Sequence, residues 1–520
     1  MILCQASTKF GLYTLLSVLK KRNRDDRRVL FLSAHNQDFE VRNPLIDLVD
    51  DENVKRAFDK IMILNDLIAP LHPAQWKPIG NEVEQLAQRS MIEAAIGGKV
   101  TSILVESLQV APALTIANLF SDSAIEVYSD GLMVFSPIKT NLPTSILSRV
   151  AKCHYVDYIS PVKPYIFEPY SIELSPIKCD DLKSEFANIA HDEKSLPDLR
   201  SSAVFLGQYL ADSGLMSQDE EIDLYVRGLV QSQRKLKTKR LYFKAHPSFP
   251  QHALEQLLIS CDEAGLEIEF LSQKVLIEEY LMHTKPSAVI SIFSTGLMSA
   301  NKIFGVPAYK FGTDRVLESL LGTTNSNFIP AVLISECLPS LNDTPSINID
   351  YNRLVGLLET LSSCMHPKRF VKSEKDKERL SKLVNEFEFE DFQPRLGNWL
   401  KDIELNNSEL MSEYAINGRN YDDFVRSKEE LAKYRKPISV SVRLLNNGDF
   451  AEAFANSAEN IMKTPSSSRH LKVLEEASRH LPEIYKIRLE EIKRYVANEL
   501  STKVIQPPSL RTPKRFRFWP

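Results

Sequence analysis

Three short polar segments of this 520-residue chain follow apolar runs and carry residue types that could act together on a substrate. They are Ser129-Asp130-Gly131, Lys244-Ala245-His246-Pro247 and Ser294-Thr295-Gly296. A carboxylate can remove a proton, and an imidazole can stabilise or protonate a leaving group. Hydroxyls and backbone N–H groups at a strand-to-helix turn can hold a phosphate. The three segments are therefore the candidate site.

His246 has the most informative surroundings of the three. It comes two residues after the strand predicted at 240–244, and Pro247 can end that strand and begin the next helix. A histidine placed there can donate a hydrogen bond or a proton to a phosphate, and the helix end adds positive potential. The other His-Pro pairs, at 72–73 and 366–367, follow no apolar strand and are interpreted as loop dipeptides. An ordinary loop histidine is the alternative for His246.

The other two segments also have simple structural alternatives. Ser294, Thr295 and Gly296 could bind an anion, or they could cap the helix that comes next. Asp130 ends an apolar strand before Gly131, where it could act as a base on a sugar hydroxyl or form an Asx turn. The residues of each segment, taken alone, do not distinguish between the functional and the structural interpretation.

The elements that must position the first segment alternate between short apolar strands and helices. The strands are predicted at 2–4, 29–32, 61–64, 102–105 and 125–128, and the helices at 10–20, 81–96 and 111–120. Continuous apolar strands separated by helices indicate a parallel sheet with both faces covered. Ligands of such a doubly wound sheet lie beyond the carboxyl ends of its strands.

A second series of the same kind begins near residue 201. Its strands are predicted at 203–206, 240–244, 266–270 and 288–292, and its helices at 219–236, 251–265 and 275–283. Gly207 and Gln208 come directly after its first strand. The fold class is therefore α/β, with two doubly wound Rossmann-like domains facing a cleft. The predicted divisions are an N-terminal domain at 1–165, a connector at 166–200, a second domain at 201–370, a helical extension at 371–505 and a tail at 506–520.

The last third of the chain has a different composition. Residues 371–505 are charge-rich and helical, and 447–455 resemble one unit of a tetratricopeptide-like array. Residues 511–519 contain four cations and three aromatic residues and no acid, a composition that favours contact with an anionic membrane surface. A disordered soluble end is the alternative.

Composition and missing motifs exclude several other classes. A balance of 64 basic and 68 acidic residues argues against nucleic-acid binding by the body of the protein. Six cysteines without a C-x-x-C, and the lack of an Asp-x-Asp, argue against a metal site. No Rossmann dinucleotide fingerprint, P-loop or hydrolase elbow is present. No signal peptide and no run near ~18 apolar residues is found, so a cytoplasmic protein is expected.

The order of the three segments resembles that of the bacterial sialyltransferases and polysialyltransferases, which have the GT-B fold and use CMP-activated sialic acid. That family has an acidic D/E-D/E-G motif, an HP motif and a Ser/Ser-Thr motif. The similar segments here are Ser129-Asp130-Gly131, Lys244-Ala245-His246-Pro247 and Ser294-Thr295. In addition, 204–208 resembles the first strand of the family's nucleotide domain, and 278–280 resembles the helix that flanks the nucleotide. The resemblance covers about residues 1–330.

The resemblance implies an inverting glycosyltransferase that moves sialic acid, or a related nonulosonic acid, from a CMP-sugar to a glycan or lipid-linked glycan. Asp130 would be the base on the acceptor hydroxyl, and His246 would stabilise or protonate the departing phosphate. The remaining nucleotide- and phosphate-binding residues would be Lys244, Pro247, Ser294, Thr295, Gly296, Gly207 and Gln208. No metal or other cofactor is implied. Such an enzyme would act in capsule or lipooligosaccharide synthesis, in the cytoplasm or on the inner face of the membrane.

Two alternatives stay open at the level of the sequence. Glycerophosphotransferases that use CDP-glycerol to build wall polymers also place His-Pro and Ser/Thr loops in a GT-B cleft. The second alternative is a non-enzymatic interaction protein whose helical C-terminal region binds a partner. In that protein Asp130 and His246 would be ordinary loop residues on different surfaces.

Overall fold

The computed structural model falls into two compact units, Met1–Asn417 and Gly418–Pro520. The residues it describes are 1–34, 45–77, 80–129, 131–138, 142–168, 170–189, 196–238, 240–320, 325–341, 348–371, 373–386, 444, 450–463 and 468–503. The first unit contains two lobes, each built on one parallel sheet.

The described part of the first lobe contains a seven-stranded sheet. Its strands are β1 (Ile2–Ala6), β2 (Arg28–Leu32), β3 (Lys60–Ile63), β4 (Ser102–Val105), β5 (Ala124–Ser129), β6 (Val150–Val156) and β7 (Glu173–Ile177). They run in the order β3-β2-β1-β4-β5-β6-β7, with every neighbouring pair parallel. The order reverses between β1 and β4, which is where doubly wound sheets bind ligands.

Helices on the faces of this sheet explain why its central strands are almost entirely buried. They are α1 (Lys9–Lys20), α2 (Glu52–Ala57), α3 (Leu64–Ile68), α4 (Glu82–Ile96), α5 (Ala113–Leu119), α6 (Thr144–Leu147) and α7 (Cys179–Asn188), with 3-10 turns at Ile46–Asp50, Pro73–Gln75 and Leu132–Phe135. Every residue of β1 and β2 is buried. Thr8 is the N-cap of α1, and its hydroxyl accepts a hydrogen bond from the backbone N–H of Gly11 at 2.8 Å.

The second lobe has a five-stranded parallel sheet among its described residues. Its strands are β8 (Ser202–Leu206), β9 (Arg240–Lys244), β10 (Ile268–Phe270), β11 (Ala288–Ser291) and β12 (Ala308–Lys310), in the order β10-β9-β8-β11-β12. Its helices are α8 (Gln218–Leu236), α9 (Gln251–Glu263), α10 (Ile277–His283), α11 (Thr295–Met298), α12 (Thr313–Leu320), α13 (Phe328–Cys337), α14 (Tyr351–Met365), α15 (Pro367–Phe370) and α16 (Glu374–Glu386), with a π-helix at Ser299–Ile303. The order reverses between β8 and β11.

The second unit has a hydrophobic core of its own. Its helices are α17 (Phe450–Lys463), α18 (Ser468–Arg479) and α19 (Glu483–Lys503). Ala453, Ile461, Leu474 and Ala477 are fully buried in that core. The helical character expected for the C-terminal region is confirmed for these residues.

The two doubly wound sheets are confirmed, and the strands predicted from apolar runs are all present. The sequence did not reveal β6, β7 and β12. Pro176 lies in β7, which can hold a proline because it is an edge strand. The stretch 166–200, expected as a connector, contributes β7 and α7.

Among the described helices, none is both long enough and apolar enough to cross a bilayer.

Candidate active site

The predicted site residues of the second lobe emerge together at the carboxyl edge of its sheet. Strands β9, β8 and β11 are neighbours, so the segments 244–247, 207–208 and 294–296 lie after three adjacent strand ends. The strand order reverses between β8 and β11 at this point, which is the usual position of a ligand in such a sheet.

Hydrogen bonds tie these three segments to one another. The backbone N–H of Gly207 donates to the carbonyl oxygen of Lys244 at 2.9 Å. The side-chain oxygen of Gln208 accepts the backbone N–H of Phe293 at 3.1 Å. A Cβ at Gly207 would collide with the ring of Phe243, so only glycine allows this close approach. Gly207 and Gln208 thus connect the His246 segment to the Ser294 segment.

Helix α8 fixes the loop that carries Gln208. The hydroxyl of Tyr225 accepts the backbone N–H of Gln208 at 2.7 Å and donates to Glu221 at 2.8 Å. The buried carboxylate of Glu221 also accepts the backbone N–H groups of Leu210 and Ala211 at 2.8 and 2.9 Å. Burial raises the pKa of Glu221, and these donors oppose that rise by stabilising its charge.

His246 is held with one ring nitrogen available as a donor. Its Nδ1 accepts the backbone N–H of Ser248 at 3.0 Å, so the neutral ring carries its proton on Nε2. Burial, together with the positive charge of Lys244, lowers the pKa of His246 to about 4. A neutral Nε2–H group at physiological pH can donate a hydrogen bond to a phosphate oxygen. Pro247, the next residue, is exposed.

An aromatic residue that the sequence analysis missed lies against this histidine. The ring centroids of Tyr209 and His246 are 4.5 Å apart, with the rings tilted by 43°. The Tyr209 residue is 36% exposed, so it offers accessible aromatic surface beside the imidazole. The signal that could have found it is an aromatic residue two positions after Gly207 at a strand end.

Lys244 lies at the same edge with its ammonium turned into the protein. The residue is 8% exposed, and its Nζ donates to the carbonyl oxygen of Ser272 at 3.3 Å. Burial lowers its pKa to about 8, while the negative charges of Glu278 and Glu279 act in the opposite direction. The assignment of Lys244 to phosphate binding stays a prediction.

Ser294 and Thr295 have different partners. The Ser294 hydroxyl accepts the backbone N–H of Gly296 at 3.2 Å, so it does cap α11 as the structural alternative predicted. The Thr295 hydroxyl instead accepts the backbone N–H of Leu132 at 3.4 Å, although the two residues are 163 positions apart.

The segment containing Gly131 and Leu132 belongs to the first lobe and meets the second lobe here. A Cβ at Gly131 would lie 3.1 Å from the Thr295 hydroxyl oxygen, which leaves little room for any side chain. Ser129, on the other side of Asp130, is the buried last residue of β5. Asp130 itself lies outside the described residues, so its role as a base stays a prediction.

The described residues contain no group of three or more His, Cys, Asp or Glu side chains arranged to hold a metal ion.

A comparison with protein families finds a match over residues 3–313, a range that includes residues of every described strand and all three predicted segments. The matching family is described as alpha-2,8-polysialyltransferase. No curated protein sequence matches the chain significantly.

Several solved structures are similar at low identity. An alpha/beta-galactoside alpha-2,3-sialyltransferase from Photobacterium phosphoreum is 14% identical, with a TM-score of 0.38, over 68% of this chain and 98% of the other. A 2,6-sialyltransferase from Photobacterium sp. JT-ISH-224, solved with CMP and lactose, is 12% identical, with a TM-score of 0.35, over 66% and 78%. UGT2 from Phytolacca americana is 12% identical, with a TM-score of 0.34, over 74% and 99%.

Proposed function

Because this chain belongs to the alpha-2,8-polysialyltransferase family, we propose that it transfers sialic acid from CMP-sialic acid to a hydroxyl of a glycan acceptor. Family membership makes it a glycosyltransferase and decides against the non-enzymatic interpretation. The observation that carries the proposal is the contact of the Gly131 segment with Thr295, which brings the motif of one lobe to a motif of the other.

On the donor side, the proposal assigns the leaving phosphate to the carboxyl edge of the second sheet. The Nε2–H of His246 would donate to a phosphate oxygen as negative charge grows there. Ser294 and Thr295, with Gly296 and the start of α11, would hold the phosphate or the sugar carboxylate. Lys244 would add positive potential from its buried position. Gly207 and Gln208 would keep these segments in register through their backbone and side-chain bonds.

On the acceptor side, we assign the base to Asp130. Its carboxylate would take the proton of the acceptor hydroxyl as that oxygen attacks the anomeric carbon of the donor. The bond from the anomeric carbon to the phosphate oxygen breaks in the same displacement, and its electron pair leaves with CMP. One displacement inverts the configuration at the anomeric carbon. No metal takes part in this scheme.

The family indicates the acceptor. A polysialyltransferase extends a chain that ends in sialic acid, so we propose an acceptor with a terminal sialic acid and an alpha-2,8 linkage in the product. A lipid-linked glycan and the anionic inner face of the cytoplasmic membrane, contacted through 511–519, are further proposals. The tail lies outside the described residues.

The test is product analysis with CMP-sialic acid and a panel of sialylated and unsialylated glycans. Asp130→Ala should lower kcat by about 100- to 10,000-fold while CMP still binds, because only the base is lost. His246→Ala should lower kcat by about 100- to 1,000-fold and also weaken CMP binding, because it contacts the phosphate in both states. Calorimetry with CMP measures the binding.

A panel of donors separates this proposal from the CDP-glycerol alternative. CMP-sialic acid should be consumed and CDP-glycerol should not. Turnover of CDP-glycerol alone would overturn the proposed donor, and full activity of Asp130→Ala would overturn the proposed base.

A further inference from the structure

Two adjacent glutamates of α10, Glu278 and Glu279, are buried where the second lobe meets the first. The residues are 4% and 0% exposed, and the proposed transfer scheme does not use them. Two neighbouring carboxylates removed from water are costly unless cations or hydrogen-bond donors face them. The groups that face them therefore indicate their role.

Glu279 is bonded to residues of the other lobe. The ammonium of Lys9 lies 2.5 Å from its Oε1, and the Tyr13 hydroxyl donates to the same oxygen at 2.9 Å. Both residues lie on α1 of the first lobe. The other carboxylate oxygen accepts the backbone N–H of Leu276, in its own lobe, at 2.7 Å. The Lys9 side chain is only 11% exposed, so this ion pair is shielded from solvent.

Glu278 reaches the first lobe through one intermediate residue. Burial raises the pKa of Glu278, and the side chain of Ser299, the first residue of the π-helix, opposes that rise. The Ser299 hydroxyl lies 3.3 Å from the hydroxyl of Tyr158, which comes after β6 in the first lobe. A local π-helix often marks a functional position in a helix, and this one orients Ser299 between the two lobes.

The contact brings cations from both lobes to the two glutamates. Lys244 is the second cation near the two glutamates, and the field of Lys9 also helps to lower its pKa. If the lobes separated, Glu279 would lose the ion pair with Lys9 and the hydrogen bond from Tyr13, and water would take their places. A packed arrangement that buried Glu279 without these partners would leave an uncompensated charge, so the contact favours one orientation of the lobes.

Aromatic side chains pack next to the Lys9–Glu279 ion pair, where the two lobes meet. The ring of Tyr13 lies 4.4 Å from that of Phe186 on α7, and Phe186 lies 6.1 Å from Phe304, directly after the π-helix. Packing against Phe186 therefore holds the Tyr13 ring in the position from which its hydroxyl reaches Glu279.

We propose that Glu278 and Glu279 form an interlobe clamp, through which Lys9, Tyr13 and Tyr158 hold the second lobe in the orientation that joins the two halves of the transfer site. These are positioning residues, because none of them touches the reacting atoms. Measurements of turnover in the clamp variants rest on the proposed function, whereas measurements of the distance between the lobes do not.

The experiment measures the distance between the lobes by pulsed electron resonance on the full chain. Spin labels are attached through Met91→Cys on α4 and Ile259→Cys on α9, which are 71% and 60% exposed, with Cys179→Ser in the background. The parent should give one narrow distance distribution. Tyr13→Phe, which keeps the ring but removes the hydroxyl, and Lys9→Met should broaden it.

The same variants should lower kcat by about 10- to 100-fold, the effect of losing a hydrogen bond to a charged group. CMP affinity should stay unchanged, because the nucleotide-binding lobe is intact. Lys9→Arg keeps the charge and should restore both the narrow distribution and the turnover. Lys20→Met is the matched control, since Lys20 lies on the same helix but pairs with Glu185 within the first lobe.

Each negative result has a separate meaning. An unchanged distance distribution in Tyr13→Phe and Lys9→Met overturns the clamp, whatever the enzyme transfers. Loss of CMP binding in Glu279→Gln with unchanged distances would make Glu279 a nucleotide ligand and also overturn it. If the parent protein transfers no sialic acid, the proposed function is wrong. The distance measurements then test the interlobe clamp without the turnover measurements.

Discussion

At the scale of single residues, His246 shows how local context and burial together set a chemical role. His72 at another His-Pro pair makes the same local contact, since its Nδ1 accepts the backbone N–H of Ala74 at 3.2 Å. This hydrogen bond from the backbone N–H two residues later is therefore a property of the His-Pro dipeptide, and it does not identify the site. What distinguishes His246 is its position after a buried strand, beside Lys244 and Tyr209.

The lowered pKa of His246 gives a prediction about pH. In the free protein its imidazole should titrate near pH 4, because burial and Lys244 disfavour the charged ring. CMP should raise this midpoint by about one to three pH units, since a phosphate beside the ring stabilises the imidazolium. NMR of the ring Cε1–H signal measures both values.

Cytidine is the control ligand, because it has the base and the ribose but no phosphate, and it should leave the midpoint in place. A midpoint at the ordinary value of 6.5 in the free protein, or equal shifts with both ligands, would contradict this account.

The same pKa also affects stability, with a defined sign. The folded pKa lies below the unfolded value, so the unfolded chain binds more protons between about pH 6.5 and about pH 4. In that window acidification should lower the free energy of unfolding, and above it this histidine should have no effect.

At the scale of elements, the site depends on where strands stop and on which residues come next in the chain. The segments after β8, β9 and β11 are close because these strands are neighbours, and their hydrogen bonds then fix the spacing. The segment after β5 joins them only because the two lobes pack against each other at Thr295.

Gly131→Ala tests that contact between segments. Its new methyl group would lie 3.1 Å from the Thr295 hydroxyl oxygen and should push the two segments apart. Turnover should fall by about 10- to 100-fold, because small displacements at a reacting centre are costly, while CMP still binds. Steady-state kinetics and calorimetry measure the two effects.

Gly80→Ala is a suitable control, since no described atom beyond Gly80 and its chain neighbours lies within 4 Å of the added methyl group. Equal activity of the Gly131 and Gly80 variants would mean that the Gly131 segment takes no part in the site.

At the scale of the whole molecule, the second unit has its own core, separate from the two sheets. We predict that Leu474→Ala, which leaves a cavity in that core, destabilises α17, α18 and α19 by about 2 to 5 kcal/mol. Hydrogen exchange should increase in residues 450–503 and stay unchanged in the two sheets, because the cores are separate.

Ile487→Ala on α19 is the matched comparison, because Ile487 is 55% exposed and its truncation removes little buried surface. Faster exchange throughout the first unit in Leu474→Ala would show that the two units unfold together.

The sequence by itself determined nine of the twelve described strands and the chemical groups that follow several of them. Apolar runs predict buried parallel strands, and Asp130, His246 and Ser294 could be identified because each comes two residues after the end of such a run. The edge strands β7 and β12 escaped because a proline or a very short length weakens that pattern.

Only the tertiary structure decided which strand ends meet. The Leu132–Thr295 and Tyr13–Glu279 hydrogen bonds join residues 163 and 266 positions apart, and no local pattern encodes such pairs. They result from the packing of one whole lobe on the other, where burial of Glu278 and Glu279 requires donors and charge that the neighbouring lobe supplies.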